Sequence, residues 1–186
     1  MSVEPVIKHL EENLKKAAEH LKTEYAHLQI GRASSALVER VFVEAYGVMQ
    51  PLKAIANISV PDAKTIQIQP WDRGTLQTIE KAIILAELGL NPQNDGIVIR
   101  LNIPALTEDR RRELTKIVSK MAEETKISVR NLRHEAMEQI KKMQKDSTIT
   151  EDQLKHGEKK IQELVDQINK DIEGSAKEKE QDIMKV

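Results

Sequence analysis

The chain has 186 residues, 32% of them charged, a formal net charge of −1 and no cysteine, which excludes disulfides, thiolate chemistry and cysteine-rich zinc sites. Trp71, Tyr25, Tyr46 and Phe42 are the whole aromatic set, too few rings for a base-stacking platform, and this composition suits long, thin helices better than a thick globular core. No apolar run approaches the ~20 residues that cross a bilayer, and the N-terminus has no signal- or transit-peptide pattern, so a soluble cytoplasmic protein of one or two small domains is expected.

The apolar positions Ile7, Leu10, Leu14, Ala17, Leu21 and Leu28 step by threes and fours and predict one helix over residues 1–30. Glu24 interrupts the seam and Tyr25 substitutes for it; Gly31 ends the pattern, where a left-handed cap is easiest. The character then changes. Arg40 to Tyr46, Ile55 to Val60, Thr65 to Gln69 and Ile97 to Leu101 read as strands, with turns at Gly47, Pro61-Asp62 and Asn94-Asp95-Gly96. Between the third and fourth, Leu76, Ile79, Ala82, Ile83 and Ala86 share one face of a short helix; Gly89 lies past its end and Pro92 prevents its resumption. Trp71 is expected to anchor the packing of this small α/β unit.

Helical periodicity returns after Pro104. Thr107 is the expected N-cap, and Leu114, Val118, Met121, Thr125, Val129, Leu132, Ala136, Ile140 and Met143 keep one face of a long helix. Asp146-Ser147 breaks it. Thr150 with Gln153 forms a capping-box pair that opens a third helix, with Leu154, Ile161, Val165, Ile168, Ile172, Ala176 and Ile183 as its seam. Gly157 is a weak point within it. Three helices with apolar stripes must pack together, so the fold expected is α+β: an elongated three-helix bundle of residues 1–31 and 104–186, with an inserted small β/α/β domain of residues 32–103. Two short connections, at Gly31, Ser34 and Ser35 and at Asn102 and Pro104, would act as a hinge.

Charge is unevenly spread. Residues 100–146 hold twelve Lys/Arg against eight Asp/Glu, whereas residues 147–186 hold seven against ten. On a wheel of the middle helix, Arg112, Lys116, Lys120, Lys126, Arg130, Arg133 and Lys141 fall within an arc of roughly 140°, opposite the apolar seam. Of the acids, Glu123 and the first-turn pair Glu108 and Asp109 fall inside that arc and Glu138 lies at its edge, while Glu113, Glu124 and Glu135 flank it. A solvated face with i,i+4 pairs is one reading. A ridge of cations that meets the phosphates of folded RNA is the other, favoured by the segregation of the acids and by the planar fork of arginine.

Little else suggests chemistry. His20, Glu24 and His27 share a helix face at a spacing that could hold a metal, but read as surface positions; no metal site and no cofactor are expected. No nucleophile–base arrangement and no Gly-rich phosphate loop occur, so no catalytic residue is assigned.

Several stretches resemble the ribosome recycling factor family, in order and along nearly the whole chain. They are Gly31-Arg32-Ala33-Ser34, Tyr46-Gly47 with Pro51-Leu52, Ile58-Ser59-Val60-Pro61-Asp62-Ala63, Gln69-Pro70-Trp71-Asp72-Arg73, Leu88-Gly89-Leu90-Asn91-Pro92, Pro104-Ala105-Leu106-Thr107-Glu108-Asp109-Arg110-Arg111 and Val129-Arg130-Asn131-Leu132-Arg133. The resemblance implies an L-shaped molecule, monomeric off the ribosome, that binds large-subunit ribosomal RNA after termination. There it acts with elongation factor G, whose GTP hydrolysis drives subunit separation, and carries no active site itself. It implies RNA contacts for Arg133 above all, then Arg130 and Arg32, and extends the basic set to Arg110. The chain departs from the family in two places: Gln29-Ile30 stand where many members have a basic residue and threonine, and His134 where many have a further arginine. A coiled-coil scaffold without RNA affinity is the alternative.

Overall fold

A computed structural model describes residues 2–185. Its backbone contacts divide the chain into two compact units: residues up to Tyr25 with Arg112–Met184, and Ala26–Arg111.

The first unit is a three-helix bundle built from α1 (Glu4–His27), α5 (Glu108–Lys145) and α6 (Glu151–Lys185). The expected seams face inward: most of their positions are buried, and Ala17, Leu28, Met121, Thr125, Leu132, Met143, Leu154 and Ala176 are half-buried. Ile7, Leu10, Leu14 and Leu21 of α1, Leu114, Val118, Val129, Ala136 and Ile140 of α5, and Ile161, Val165, Ile168, Ile172 and Ile183 of α6 are all buried. Each such side chain contributes roughly 1.5–3 kcal/mol when fully buried. Tyr25 replaces the missing apolar residue at Glu24: its ring is buried and its hydroxyl donates to the carbonyl of Val118, 3.0 Å away. Burial pushes the Tyr25 phenol up to about 12.

The caps are as expected. Thr107 Oγ1 accepts from the Arg110 amide at 3.3 Å. Thr150 and Gln153 cap reciprocally: the Thr150 amide donates to Gln153 Oε1 at 2.9 Å and the Gln153 amide to Thr150 Oγ1 at 3.2 Å. Gly157 acquires a reason. It is buried where α6 passes Val3 and Ile140, and a Cβ added there would stand 3.4 Å from Val3 Cγ1 and 3.5 Å from Ile140 Cδ1. The absent side chain lets the start of the chain and α5 close against α6.

Helix α1 stops at His27, short of residue 30. A continued helix would carry Ile30 about 200° round from Leu28 and into water; by leaving the helix the chain buries Ile30. Gly31 then takes a left-handed conformation, φ +79°.

The second unit opens with a single turn, α2 (Ala36–Glu39), and a hairpin of β1 (Phe42–Ala45) and β2 (Val48–Pro51). Tyr46 and Gly47 make its two-residue loop with φ of +56° and +76°, the mirror-image turn that matches strand twist. After the short α3 (Leu52–Ile55) come β3 (Ala56–Asp62), β4 (Thr65–Pro70), α4 (Leu76–Leu85), β5 (Pro92–Asn94) and β6 (Ile99–Asn102). The last four strands form one antiparallel sheet in the order β3-β4-β6-β5. Ile66 pairs with Leu101 and Ile68 with Ile99; these four side chains, with Ile79 and Ile83 of α4, centre the unit's core.

Four expectations change here. The turn between β3 and β4 is Ala63-Lys64, not Pro61-Asp62, which lie in β3 beside an irregularity in register; the Asp62 carboxylate shapes the turn by accepting from the Lys64 amide at 2.8 Å. Strands β2 and β5 were not expected, because Met49-Gln50-Pro51 and Pro92-Gln93-Asn94 lack β-branched alternation and take extended form only beside a partner. The last strand begins at Ile99 rather than Ile97, since Asp95 Oδ1 holds the amides of Ile97 and Val98 in the preceding turn. Trp71 is 73% exposed and anchors nothing; its backbone amide closes onto Ile55 while the ring points out at the bend after β4.

The β3–β4 turn also ties down both ends of the inserted segment. The amide of Ala33 donates to the carbonyl of Ala63 at 2.8 Å, and that of Ile103 to the carbonyl of Lys64 at 2.7 Å.

Two outcomes follow for the bundle. Gly157→Ala should change stability by less than about 1 kcal/mol, because the helix propensity gained offsets a contact only just at van der Waals distance, whereas Gly157→Leu should cost about 1–3 kcal/mol by overpacking; denaturant unfolding measures both. The Tyr25 phenol is an acid with a raised folded value. Its contribution to stability is therefore full below pH 10 and lost as pH rises through about 12, and absorbance titration of the Tyr25→Phe variant should lack the later of two phenolate steps.

Candidate nucleic-acid interface

Helix α5 has 38 residues and is roughly 57 Å long at 1.5 Å per residue. Its seam faces α1 and α6, which leaves the opposite arc to water. Arg112, Lys116, Lys120, Arg130 and Lys141 are exposed there. Lys120 lies 3.9 Å from Glu124 across a fully solvated turn, a separation at which an exposed pair contributes little. Arg112, Lys116, Arg130 and Lys141 have no ion-pair partner among the described residues.

Arg133 and Lys126 sit at the edge of the arc, where α5 meets α6, and both are half-buried. Between the two helices runs an open groove of about 460 Å³, walled by Lys126, Val129, Arg130 and Arg133 on one side and by Gln162, Val165, Asn169 and Glu173 on the other. The two cations at the edge have different surroundings. Lys126 Nζ lies 3.0 Å from Glu173 Oε1 and 3.4 Å from Glu123 Oε1. Its pKa is raised above the ordinary lysine value, chiefly by the hydrogen bond to Glu173. Arg133 meets no carboxylate among the described residues: its Nε donates to Gln162 Oε1 at 3.1 Å, and Gln162 Nε2 donates to Asp166 Oδ1 at 2.8 Å. Asn169 Oδ1 is buried in the groove wall without a hydrogen-bond partner among the described residues.

The α5 positions expected to bind RNA (Arg133, Arg130, Lys126, Arg112 and Lys116) thus lie on one helix of the bundle. Arg32 and Arg110 belong to the second unit, Arg32 on the exposed segment after Gly31 and Arg110 in the first turn of α5. The expected hinge residues also differ among themselves. Ser34 and Ser35 lie at the start of α2, where Ser34 Oγ accepts from the Ala36 amide at 3.3 Å and Ser35 Oγ donates to Glu39 at 2.9 Å. Asn102 is the last residue of β6, paired with Thr65. Gly31 and Pro104 fall outside any helix or strand.

The wheel of α5 could not show the contribution of α6. Gln162, Asp166, Asn169 and Glu173 each follow a seam residue of α6 by one position (Ile161, Val165, Ile168 and Ile172) and so form a polar stripe beside the seam. Periodicity alone would reveal the stripe; which α5 cations it meets depends on how the helices register. His20, Glu24 and His27 do not join in a metal-binding group: no cluster of three His, Cys, Asp or Glu side chains able to hold a metal occurs among the described residues. No helix among them is long and apolar enough to cross a membrane.

The family profile described as ribosome recycling factor matches residues 21–184. The chain belongs to the ribosome recycling factor family. The ribosome-recycling factor of Chloroflexus aggregans is 50% identical over 97% of this chain and 98% of its own length. That of Symbiobacterium thermophilum is 47% identical with the same coverage, and that of Oleidesulfovibrio alaskensis 45% identical over 99% of this chain. Among solved structures, a solution structure of ribosome recycling factor superposes with a TM-score of 0.81 at 43% identity, covering 100% of this chain and 99% of that one. A second match, with a TM-score of 0.68 at 39% identity and covering 98% and 99%, is to models of the Thermus thermophilus factor and Escherichia coli elongation factor G bound to the Escherichia coli post-termination complex. The three-helix bundle with an inserted antiparallel α/β unit is the fold of this family.

The pair at the edge of the ridge is open to direct measurement. In Glu173→Gln the Lys126 ammonium loses its main partner, so its pKa should fall back toward 10.5 while that of other lysines stays put; ¹³C NMR of the lysine ε-carbons reads the shift.

Proposed function

We propose that this chain binds the ribosome after termination and, together with elongation factor G, promotes separation of the subunits so that they can be reused. The family match along nearly the full chain carries the reading. The bundle supplies the physical means: a rigid helix on whose solvent face Arg112, Lys116, Arg130 and Lys141 have no ion-pair partner among the described residues. Arg130 and Arg133 would grip backbone phosphates of large-subunit ribosomal RNA, with Arg110, Arg112 and Lys116 further along the helix and Arg32 as a contact from the inserted segment. Lys126 would have to exchange Glu173 for a phosphate. Recognition of this kind reads the shape of folded RNA and the spacing of its backbone rather than base sequence.

As a member of this family the chain is a translation factor and not an enzyme. The work of splitting comes from GTP hydrolysis by elongation factor G, and the place of action is the cytoplasm. The RNA-binding domain comprises residues 1–31 and 104–186, and residues 32–103 form an inserted domain that swings about its two connections. The hydrogen bonds of Ala33 and Ile103 to the β3–β4 turn support a pivot at Gly31 and Pro104, which flank them, rather than at Ser34, Ser35 or Asn102, which lie within the small unit's bonded fabric.

The Arg133→Ala variant should keep the melting temperature of the native chain and lose ribosome affinity by ten-fold or more, since a hydrogen bond to a charged group is worth roughly 1.5–3 kcal/mol. Co-sedimentation with vacant ribosomes at rising salt measures the affinity, which should fall steeply as counterion release is suppressed. Light scattering of post-termination ribosomes with each component left out should show splitting only when this protein, elongation factor G and GTP are all present, and the protein alone should turn over no GTP. Normal binding by Arg133→Ala, or splitting without the protein, would overturn the reading.

A further inference from the structure

We propose that Gln162 and Asp166 of α6 are positioning residues for Arg133, fixing its guanidinium so that its two terminal nitrogens present a fork to one ribosomal RNA phosphate at the α5–α6 groove. This rests on the RNA-binding reading above and gives a part in it to a helix whose own charge balance is acidic.

The geometry is a directed relay. Arg133 Nε–H donates to Gln162 Oε1 at 3.1 Å, and Gln162 Nε2–H donates to Asp166 Oδ1 at 2.8 Å. A guanidinium can only donate and a carboxylate can only accept. The amide between them is therefore forced to turn its oxygen to Arg133 and its nitrogen to Asp166. One edge of the guanidinium is thereby occupied through Nε. Arg133 makes no other hydrogen bond among the described residues, so both terminal nitrogens remain for a ligand. Ordering a long arginine before the ligand arrives removes part of the entropy lost on binding.

The choice of glutamine has a second effect. A carboxylate at position 162 would orient Arg133 equally well and neutralise it. Glutamine transmits the orientation set by Asp166 while keeping that charge one side chain away, and no ion pair joins Asp166 to Arg133. Lys126, on the same wall, shows the contrasting arrangement, with Glu173 and Glu123 directly upon it. The groove is thus polarised: its Arg130–Arg133 end is cationic, with Arg133 held by Gln162, and its Lys126 end is locally neutralised.

The test is a double-mutant cycle on the full chain, read as the Kd for vacant ribosomes by co-sedimentation, with thermal unfolding as a check on folding. Gln162→Ala should weaken binding about 3- to 10-fold in the native background and less than about 2-fold in the Arg133→Ala background, the non-additivity expected of two residues acting as one. Gln162→Glu should weaken binding more than Gln162→Ala, because it adds neutralisation while keeping a partner for Nε. Asp166→Asn should give a smaller loss that also vanishes without Arg133. Equal losses in both backgrounds, or Gln162→Glu binding as well as the native chain, would overturn the positioning role while leaving RNA binding intact. Unimpaired binding by Arg133→Ala alone would instead overturn the RNA-binding reading, and this proposal with it.

Discussion

The row of cations on α5 depends on the apolar seam on the far side of that helix. A solitary helix of 38 residues bearing a row of arginines and lysines would repel itself and fray; here Leu114, Val118, Val129, Ala136 and Ile140 are buried against two neighbours, so the opposite face is held straight without help from its own side chains. The bundle has almost no aromatic bulk to fill gaps, and it succeeds by thinness. Alanine at 122 and 136 and glycine at 157 bring backbones close, and Tyr25 covers the one interruption in the seam of α1 while its hydroxyl satisfies a carbonyl of α5.

The same packing determines which cations are available. Charge that looks uniform on a single helix is divided by the helix beside it. Glu173 and Glu123 answer Lys126, whereas Gln162 holds Arg133 without cancelling it. The net charge of −1 says nothing of this, because the acidic surplus of α6 offsets the basic surplus of α5 within one unit. What an RNA phosphate would meet is a local field, set within a few ångströms of each guanidinium and partly screened beyond that by salt.

Much of this was legible in the sequence, for identifiable reasons. The three long helices announced themselves because their seams repeat over many turns and their caps carry specific chemistry, at Thr107 and at Thr150 with Gln153. The basic face followed from the same wheel. Strands β2 and β5 stayed hidden because three or four residues with proline and polar side chains carry no period of their own; pairing creates them. Trp71 misled because a large ring is usually a core residue, and here the backbone needed that position while the ring did not. The part played by Gln162 and Asp166 lay in plain view as residues but not as a site, since the register of α6 against α5 is a tertiary fact.

The β3–β4 turn has one more consequence. Ala33 and Ile103, seventy positions apart in the sequence, are hydrogen-bonded to adjacent residues of the same turn. Once the small unit has folded, the chain enters and leaves it through what amounts to a single doorway. For the bundle, the entropy of bringing α1 and α5 together is then that of closing a short connection instead of a seventy-residue loop. The insertion thus shortens, in effect, the chain into which it is inserted, and its early folding would lower the kinetic barrier to assembling helices that are remote in sequence.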